Sequence, residues 1–188
     1  MKDTTRIHPL ELNSIKHCID IGNSQFGNGF VTELELLNTI QSSHQFGLIS
    51  KTDNTVSGFV LAIVCDSFDQ LEPTLISNIN WFKTTYKNKF PIALIQTIGV
   101  SEDYIGLGIG KQLTNAILNQ VNRLSKTTLS MVWEHQNGTP LAYILDQCGL
   151  KMQAKIPNYW LNDSIQNNYE CKYCGTPPCQ CTMMVYSD

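Results

Sequence analysis

The sequence predicts a single domain of the α/β (α+β) class, with helices packed on a central sheet. Its length of 188 residues suits one domain, and its apolar fraction of 42% is enough to build a packed core. Segments with helical and strand-like spacing alternate along the chain, and no internal repeat interrupts them. Past mid-chain, an apolar run leads through a Gly-rich turn directly into a helix-like segment, a connection typical of α/β proteins. The domain is therefore expected to span residues 1–188.

The N-terminal half of the sequence is predicted to form three helices, a hairpin and a long central strand. Apolar residues at helical spacing after Pro9 indicate the first helix, and the Gly- and Asn-rich segment Asn23–Gly29 is expected to be a loop. Thr32 and Glu35 form a capping box that begins the second helix. A short amphipathic helix is expected within residues 66–90. The strands predicted in this half are Phe46–Ser50, Val56–Cys65 and Ile92–Val100.

The C-terminal half predicts two further helices and three strands. One helix follows the Gly-rich turn, and the second begins with Thr139 as N-cap and Pro140 as its first helical residue. Gly149 is expected to end this second helix, because glycine readily adopts the left-handed conformation that follows many helices. The strands predicted in this half are Thr128–Trp133, Leu150–Leu161 and Thr182–Tyr186.

Composition and charge argue against two classes of partner. The net charge is −3 and charged residues make up only 15% of the chain, so neither a broad nucleic-acid surface nor a site for anionic membranes is expected. The longest apolar run, Phe59–Cys65, is far too short to span a bilayer, and the N-terminal MKDTTRIHPL has no apolar signal segment. These features predict a soluble, cytoplasmic protein with no nucleic-acid or membrane partner.

The segment Tyr104–Leu113, YIGLGIGKQL, carries the clearest sign of a binding site. Its glycines allow a close backbone approach, and the unpaired N–H groups at a helix N-terminus attract an anion, usually a phosphate. Gln112 follows Gly110 and Lys111 where a P-loop has Ser or Thr, so the segment is not a P-loop. It also lacks the early position and the downstream acidic residue of a dinucleotide fingerprint.

The Gly-rich segment resembles the pyrophosphate loop of the GNAT superfamily, the acyl-CoA-dependent N-acyltransferases. Val100, Gly108, Gly110 and Leu113 fit the family pattern, whereas Ile105 stands where Gln or Arg is usual. The order of predicted elements also matches the family over most of the chain. The resemblance implies a mixed, mostly antiparallel central sheet flanked by helices, with acetyl-CoA as co-substrate.

The resemblance further implies which residues bind acetyl-CoA. In this fold the central strand separates from its neighbour at a bulge, for which Gly99 is the predicted position, with a tight packing contact as the alternative. Backbone groups of Ile98 and Val100 would pair with the pantetheine, and one of their N–H groups would stabilise the oxyanion. The expected acetyl-CoA-binding residues are Ile98, Gly99, Val100, Ile105, Gly106, Leu107, Gly108, Ile109, Gly110 and Lys111.

A base and an acid are the catalytic groups that the resemblance implies. An ammonium cannot attack a thioester, so a base or a water relay is needed, and Glu134 is the expected base, with His135, or Gln96 acting through a water, as alternatives. Many family members protonate the departing thiolate with a Tyr four residues before the helix-ending Gly, where this sequence has Leu145. Tyr143 is the nearest tyrosine and would serve as the acid through a shifted register.

Four cysteines form a compact C-x2-C-x4-C-x-C cluster within an expected insertion, residues 168–182, before the last strand. Four thiolates suit tetrahedral Zn²⁺, so a structural zinc ion is the favoured prediction. Local disulfides, an iron–sulfur centre and reduced thiols in a tight turn are the alternatives, and a cytoplasmic setting disfavours the disulfides. The predicted ligands are Cys171, Cys174, Cys179 and Cys181.

These observations together predict an N-acetyltransferase that moves an acetyl group from acetyl-CoA to a primary amine by direct attack. The acceptor is expected to be a small molecule or a peptide, and a homodimer is one option for the assembly. One alternative is a catalytically weak or inactive acyl-CoA-binding or regulatory module on the same fold, favoured by Ile105 and Leu145. The third hypothesis is a metal- or redox-sensing domain that uses the cysteine cluster.

Overall fold

The computed structural model describes residues 5–134, 139–168 and 171–188, which form one α/β domain around a seven-stranded sheet. The strands are β1 (Thr5–Pro9), β2 (Gln45–Thr52), β3 (Thr55–Cys65), β4 (Ile92–Val100), β5 (Thr127–Trp133), β6 (Lys151–Ile156) and β7 (Met183–Ser187). Their order is β1-β2-β3-β4-β5-β7-β6, and β4–β5 is the one parallel pair among the described strands. The predicted mixed, mostly antiparallel sheet is confirmed.

Helices cover both faces of this sheet. They are α1 (Ile15–Phe26), α2 (Glu33–Gln41), α3 (Phe68–Leu71), α4 (Ile79–Tyr86), α5 (Ile109–Val121), α6 (Pro140–Gln147) and α7 (Leu161–Asn167). Helices α5 and α6 pack on one face, while α1 and α2 pack on the opposite face against β2 and β3. Helix α4 and the cysteine-rich segment share that opposite face beside the later strands. None of the described helices is both long enough and apolar enough to cross a bilayer.

Helix α5 is fixed against the sheet by a continuous apolar stripe. Ile109, Leu113, Ile117 and Val121 recur at every fourth position, and each of them is at most 1% exposed. Burial of each such side chain contributes roughly 1.5–3 kcal/mol of hydrophobic free energy. Because Ile109 opens the helix, this packing also fixes the Gly-rich turn that precedes it.

Strands β4 and β5 separate partway along their length. Their parallel ladder joins Ile92–Ile95 to Thr127–Ser130, and among the described residues it goes no further. Beyond it, β4 stays paired with β3 as far as Val100, and β5 stays paired with β7 as far as Trp133. The two strands therefore form the sides of a wedge-shaped opening at the centre of the sheet.

The bulge predicted at Gly99 lies at Gln96 instead. Thr97 and Ile95 pair with consecutive residues of β3, so Gln96 is the extra residue on β4. Gly99 pairs regularly with Phe59, and a Cβ added at Gly99 would lie 2.7 Å from Phe59 Cε1. Close packing against Phe59, the alternative that the sequence left open, therefore explains this glycine.

The N-terminal region differs from its prediction in two places. Strand β1 was not predicted. Its sequence TRIHP is short and polar and ends in proline, so it lacks the apolar alternation of a central strand and has the features of an edge strand. Helix α1 continues to Phe26, so the loop predicted at Asn23–Gly29 is wrong as far as Phe26. The ring of Phe26 packs against Phe30 and Trp133, and this tertiary contact outweighs the low helix propensity of the polar residues before it.

The strand predicted at Leu150–Leu161 is too long. Strand β6 ends at Ile156, and a turn over residues 157–160 leads into α7. Asn158 in this turn has a φ of 55°, a left-handed conformation that asparagine tolerates. The two aromatic side chains that follow Asn158 are both buried, so the turn is fixed by the core rather than by a strand ladder.

The predicted positions of the helix caps are confirmed. Thr32 Oγ1 accepts a hydrogen bond from Glu35 N at 3.2 Å, as the capping box requires. Helix α6 begins at Pro140 with Thr139 in the N-cap position, but Thr139 Oγ1 donates to Trp133 O at 3.4 Å and makes no capping hydrogen bond. Gly149 follows this helix with a φ of 97°, the left-handed conformation expected after a helix C-terminus.

Candidate active site

A cavity of about 1040 Å³ occupies the opening between β4 and β5. The Gly-rich turn and the starts of α5 and α6 line one part of it, and aromatic side chains from α1, β5 and the C-terminal third of the chain line another. The strand residues along its walls are Leu94, Gln96, Thr97, Ile98, Val100, Met131, Val132 and Trp133. The opening in the sheet thus joins two chemically different regions.

The Gly-rich turn has the geometry of an anion site. Gly106 and Gly108 have φ values of 86° and 76°, in the left-handed region that glycine adopts without strain. Helix α5 begins at Ile109, and Gln112 N donates to Gly108 O at 3.1 Å as the first turn closes. The N–H groups of that turn before Gln112 have no acceptor within the helix, so they can bind a phosphate.

The β4 side of the opening presents backbone groups to the cavity. Ser101 N donates to Ser57 O at 3.0 Å, so the N–H group of Ser101 faces β3. Because these groups alternate in direction along a strand, those of Ile98 and Val100 face the opening. A ligand with amide groups along an extended chain can pair with this edge as an added strand.

Most of the residues predicted to bind acetyl-CoA line the cavity. They are Ile98, Val100, Ile105, Gly106, Gly108, Ile109, Gly110 and Lys111. Gly99 packs on Phe59 instead, and Leu107 is exposed and is not among the described residues that line the cavity. Lys111 Nζ donates to Gln147 Oε1 at 2.8 Å, which ties the start of α5 to α6 beside the turn.

Tyr143, the predicted acid, lines the cavity, whereas Leu145 is fully buried in the core. Helix α6 packs directly on the start of α5, because a Cβ at Gly110 would lie 3.1 Å from Ile144 Cδ1. The phenol of Tyr143 is largely exposed on the cavity side of α6. The position where the family has its tyrosine therefore holds a core residue, and Tyr143 is the tyrosine of this helix that reaches the cavity.

Glu134, the predicted base, lies at the end of β5 and is not among the described residues that line the cavity. Its N–H donates to Thr182 O at 2.8 Å, and its carboxylate forms an ion pair with Lys155 on β6. His135, the alternative base, lies outside the described residues. The catalytic role of Glu134 stays a prediction.

Glu35 on α2 is the one carboxylate among the described residues that line the cavity. Burial raises the pKa of Glu35, and a hydrogen bond from the Thr32 backbone acts in the opposite direction. A carboxylate with a raised pKa beside a cavity is suited to accept a proton. Sequence reasoning missed Glu35 as a candidate base because the capping box already explains this residue. No local sequence pattern indicates that α2 lies beside the opening in the sheet.

Aromatic side chains converge on Trp133 and form what we call the aromatic cluster, consisting of Phe26, Phe30, Trp133, Trp160 and Tyr173. The ring centroid of Trp133 lies 5.9 Å from that of Phe26, 5.4 Å from those of Phe30 and Trp160, and 6.0 Å from that of Tyr173. All five line the cavity. Edge-to-face contacts of this kind give the region a firm apolar wall, which suits an acceptor with an apolar group beside its amine.

A set of polar contacts joins residues that are sequence neighbours of the aromatic cluster, since Ser24 is close to Phe26 and Lys172 directly precedes Tyr173. Ser24 Oγ donates to Glu102 Oε1 at 2.8 Å, Lys172 Nζ lies 3.8 Å from Glu102 Oε1, and Lys172 also contacts Ser24 O. We call these three residues the polar bridge. It joins α1 and the segment after β4 to the connection between α7 and β7. Its exposed charges make it a weak contact, worth about 0–1 kcal/mol.

Comparison with known proteins identifies this architecture. No family profile and no curated protein sequence matches the chain. Solved structures match it along nearly its whole length. Arabidopsis thaliana NAA60 bound to a bisubstrate analogue is 15% identical, with a TM-score of 0.68 and 98% of both chains covered.

Two further structures agree. Arabidopsis thaliana Naa50 in complex with the bisubstrate analogue CoA-Ac-MVNAL is 13% identical, with a TM-score of 0.65, over 98% of this chain and 97% of that one. The ribosomal-protein-S18-alanine N-acetyltransferase from Escherichia coli is 13% identical, with a TM-score of 0.64, over 98% of this chain and 92% of that one. The chain has the GNAT fold.

Within this GNAT fold, the cysteine cluster lies in the connection between α7 and β7. The four sulfurs all lie within 4.8 Å of one another. Cys174 Sγ lies 3.4 Å from Cys181 Sγ and 4.0 Å from Cys179 Sγ, and Cys171 Sγ lies 3.6 Å from Cys181 Sγ. The structure therefore brings together all four of the predicted metal ligands.

The thiols of the cysteine cluster occupy unequal environments. Burial raises the pKa of the Cys179 thiol to about 11 and that of the Cys181 thiol further, and hydrogen bonds among the four thiols add to the rise at Cys181. At Cys174 burial raises the pKa, but hydrogen bonds from the Gln180 backbone and from neighbouring thiols outweigh it and lower the pKa overall. Without a cation, Cys179 and Cys181 are therefore protonated at neutral pH.

Proposed function

We propose that this protein is an N-acetyltransferase that moves an acetyl group from acetyl-CoA to the amine of a peptide N-terminus with an apolar first side chain. One observation carries the proposal: a single cavity joins an anion site, an open strand edge and an aromatic wall. The first two suit the pyrophosphate and pantetheine of acetyl-CoA, and the third suits the acceptor. NAA60, whose fold this chain shares, has been solved with acetyl-CoA.

The residues of the cavity have separate tasks in this reaction. The N–H groups at the start of α5 bind the pyrophosphate, and Ile98 and Val100 pair with the pantetheine. A backbone N–H of β4 stabilises the negative charge that develops on the thioester oxygen. The amine nitrogen forms a bond to the acetyl carbon as the carbon–sulfur bond breaks. The acceptor ammonium loses one proton to a base before the attack and a second proton as the amide forms, and the departing thiolate gains one proton from an acid.

We assign the base to Glu35. It lines the cavity and its pKa is raised by burial, so it can hold the proton that the acceptor ammonium releases. Glu134 is the second candidate, with weaker support, because its carboxylate is paired with Lys155. Tyr143 is the proposed acid for the thiolate, since it lines the cavity on α6 next to the residues that contact α5.

The acceptor class rests on the aromatic cluster. An aromatic wall favours an apolar side chain beside the reacting amine, and among the described lining residues Glu35 is the one carboxylate available to the several charges of a polyamine. The analogue bound to Naa50 contains the peptide MVNAL, which begins with an apolar residue. This likeness supports a peptide N-terminus over an amino sugar.

Incubation with acetyl-CoA and a panel of amines is expected to release free thiol fastest with peptides that begin with an apolar residue, such as MVNAL. The same peptide with its N-terminus already acetylated has no amine and should release none. Peptides that begin with Asp should react more slowly, because the aromatic wall cannot solvate a carboxylate. Thiol release only with polyamines or amino sugars would contradict the proposed acceptor.

Glu134→Gln is expected to leave kcat near the wild-type value. The Glu134 carboxylate is paired with Lys155, so we expect it to hold β5 and β6 together rather than to accept a proton from the acceptor. Steady-state kinetics with the best acceptor at saturating acetyl-CoA would test this. Lys155→Gln removes the other half of the pair and serves as the matched control. A fall in kcat of about 10²-fold in Glu134→Gln alone would return the role of base to Glu134.

A non-catalytic acyl-CoA-binding module is the second candidate function. Ile105 in the Gly-rich turn and Leu145 on α6 favour it, because both depart from the family pattern. Calorimetric binding of acetyl-CoA without thiol release for any amine in the panel would decide for this module.

A further inference from the structure

A short segment of the chain combines four potential metal ligands with two residues that contact the site. Cys171, Cys174, Cys179 and Cys181 bring their sulfurs together, while Lys172 belongs to the polar bridge and Tyr173 to the aromatic cluster. We propose that the four thiolates bind one structural Zn²⁺ and that this ion fixes the part of the cavity that the aromatic cluster lines, which we call the acceptor end. The existence of the metal site does not depend on whether the proposed acetyl transfer is correct.

The spacing of the sulfurs fits a single tetrahedral ion. Zn–S bonds of about 2.3 Å place the sulfurs of a tetrahedral site about 3.8 Å apart. The distances of 3.4, 3.6 and 4.0 Å in the cluster lie on both sides of this value. A disulfide would need two sulfurs at about 2.05 Å. Thiolates bound to different irons of an iron–sulfur cluster would lie farther apart than the 4.8 Å within which all four sulfurs lie here.

The backbone around the cluster already has the form of a metal-binding turn. Cys171 N donates to Gly175 O at 2.9 Å, and Gly175 N donates to Cys171 O at 2.8 Å. Gly175 has a φ of 76°, which lets the chain reverse directly after Cys174. Cys179 N donates to the buried Ser164 Oγ at 2.8 Å, so α7 anchors the second pair of ligands. Four protein ligands leave no open position, which is typical of a structural site.

The position of Lys172 and Tyr173 links the ion to the acceptor end. Both residues lie between the first two ligands, so a metal that holds Cys171 and Cys174 also fixes the stretch between them. Tyr173 then packs on Trp133 with ring centroids 6.0 Å apart, and Lys172 closes the polar bridge to Glu102. Loss of the ion would free this stretch and loosen both contacts.

Protein purified without chelator is expected to contain about one zinc per chain by elemental analysis. Cobalt(II) exchanged into the site should give the visible absorption bands of a tetrahedral tetrathiolate. Cys174→Ser, at the exposed ligand, should lose both signals and unfold at a lower temperature. Cys148→Ser makes the same chemical change at a half-buried cysteine outside the cluster, and it should keep both signals. Four thiols that titrate freely in folded, metal-free protein would overturn the zinc site.

The link to the acceptor end has a separate readout. In a Trp81→Phe background, Trp133 and Trp160 are the remaining tryptophans, so their fluorescence reports on the aromatic cluster. Removal of zinc should change this emission, and Tyr173→Ala should give a similar change while keeping the zinc. If zinc leaves without any change in emission, the link is wrong.

An acetyl-transfer arm rests on the proposed function. Metal removal should raise the KM for the peptide while the affinity for acetyl-CoA, measured by calorimetry, stays the same. If the protein proves inactive with every amine, the zinc content and the fluorescence still decide the inference, so the two failures can be told apart.

Discussion

Glu35→Gln is expected to lower kcat by about 10²-fold or more, because it removes the proposed base without changing the shape of the side chain. The affinity for acetyl-CoA should not change, since the proposed contacts to its pyrophosphate and pantetheine come from α5 and β4 and not from α2. Only the ionised carboxylate can accept a proton, so wild-type kcat should fall as the pH drops through the pKa of Glu35. Burial raises that pKa, so the acidic limb should lie above the ordinary range for glutamate. The limb should disappear in the variant.

Stability measurements separate a catalytic loss from an unfolded protein. Glutamine can also accept the Thr32 N–H in a capping box, so the start of α2 should survive the change. A folded-state pKa raised above the unfolded value favours the folded state at low pH, and this contribution is lost as the pH rises through the raised pKa. At neutral pH the variant should therefore be as stable as the wild type or more so. Glu33→Gln, at an exposed carboxylate of the same helix, is the matched control and should keep full activity.

Gly108→Asp is expected to weaken acetyl-CoA binding about tenfold or more, which corresponds to about 1.4 kcal/mol. The substitution places a negative charge at the N-terminus of α5, where the pyrophosphate is proposed to bind. It also adds a Cβ at a φ of 76°, so backbone strain contributes to any loss. Calorimetric titration with acetyl-CoA measures the combined effect.

Gly108→Asn separates the charge from the strain. Asparagine has nearly the same shape as aspartate, and both residues tolerate the left-handed conformation better than most. The asparagine variant should therefore bind acetyl-CoA clearly more tightly than the aspartate variant, and the difference should shrink as salt screens the charges. Equal affinities of the two variants would show that no anion binds at this turn.

The sequence predicts the anion site and the cysteine cluster well because both are local. Gly108 directly precedes α5 and Gly110 is its second residue, so the turn and the helix that it begins can be read from one short segment. The four cysteines likewise lie within eleven residues, from Cys171 to Cys181. Their spacing alone limits how far apart the sulfurs can be.

The acceptor side depends on contacts that no local pattern contains. Phe26 and Trp133 are more than a hundred positions apart in the sequence and meet only because α1 packs across the opening in the sheet. In the sequence, the capping box alone explains Glu35. Its position at the cavity follows from how α2 packs on β2 and β3. The bulge shifts from Gly99 to Gln96 for the same reason, since pairing with β3 decides which residue is left without a partner.

The distance between β4 and β5 beyond their short ladder is set by buried side chains rather than by backbone hydrogen bonds. One core cluster, which contains Ile95, Val132, Ile109 and Leu113, passes beneath both strands. Protein interiors are closely packed, so a change of one methylene in this layer shifts its neighbours. Under the proposed function, the length of acyl chain that fits between the strands can therefore change through core substitutions that touch no ligand. Selection for a donor with a longer acyl chain would then favour substitutions in this hydrophobic core cluster rather than in the residues that contact the donor.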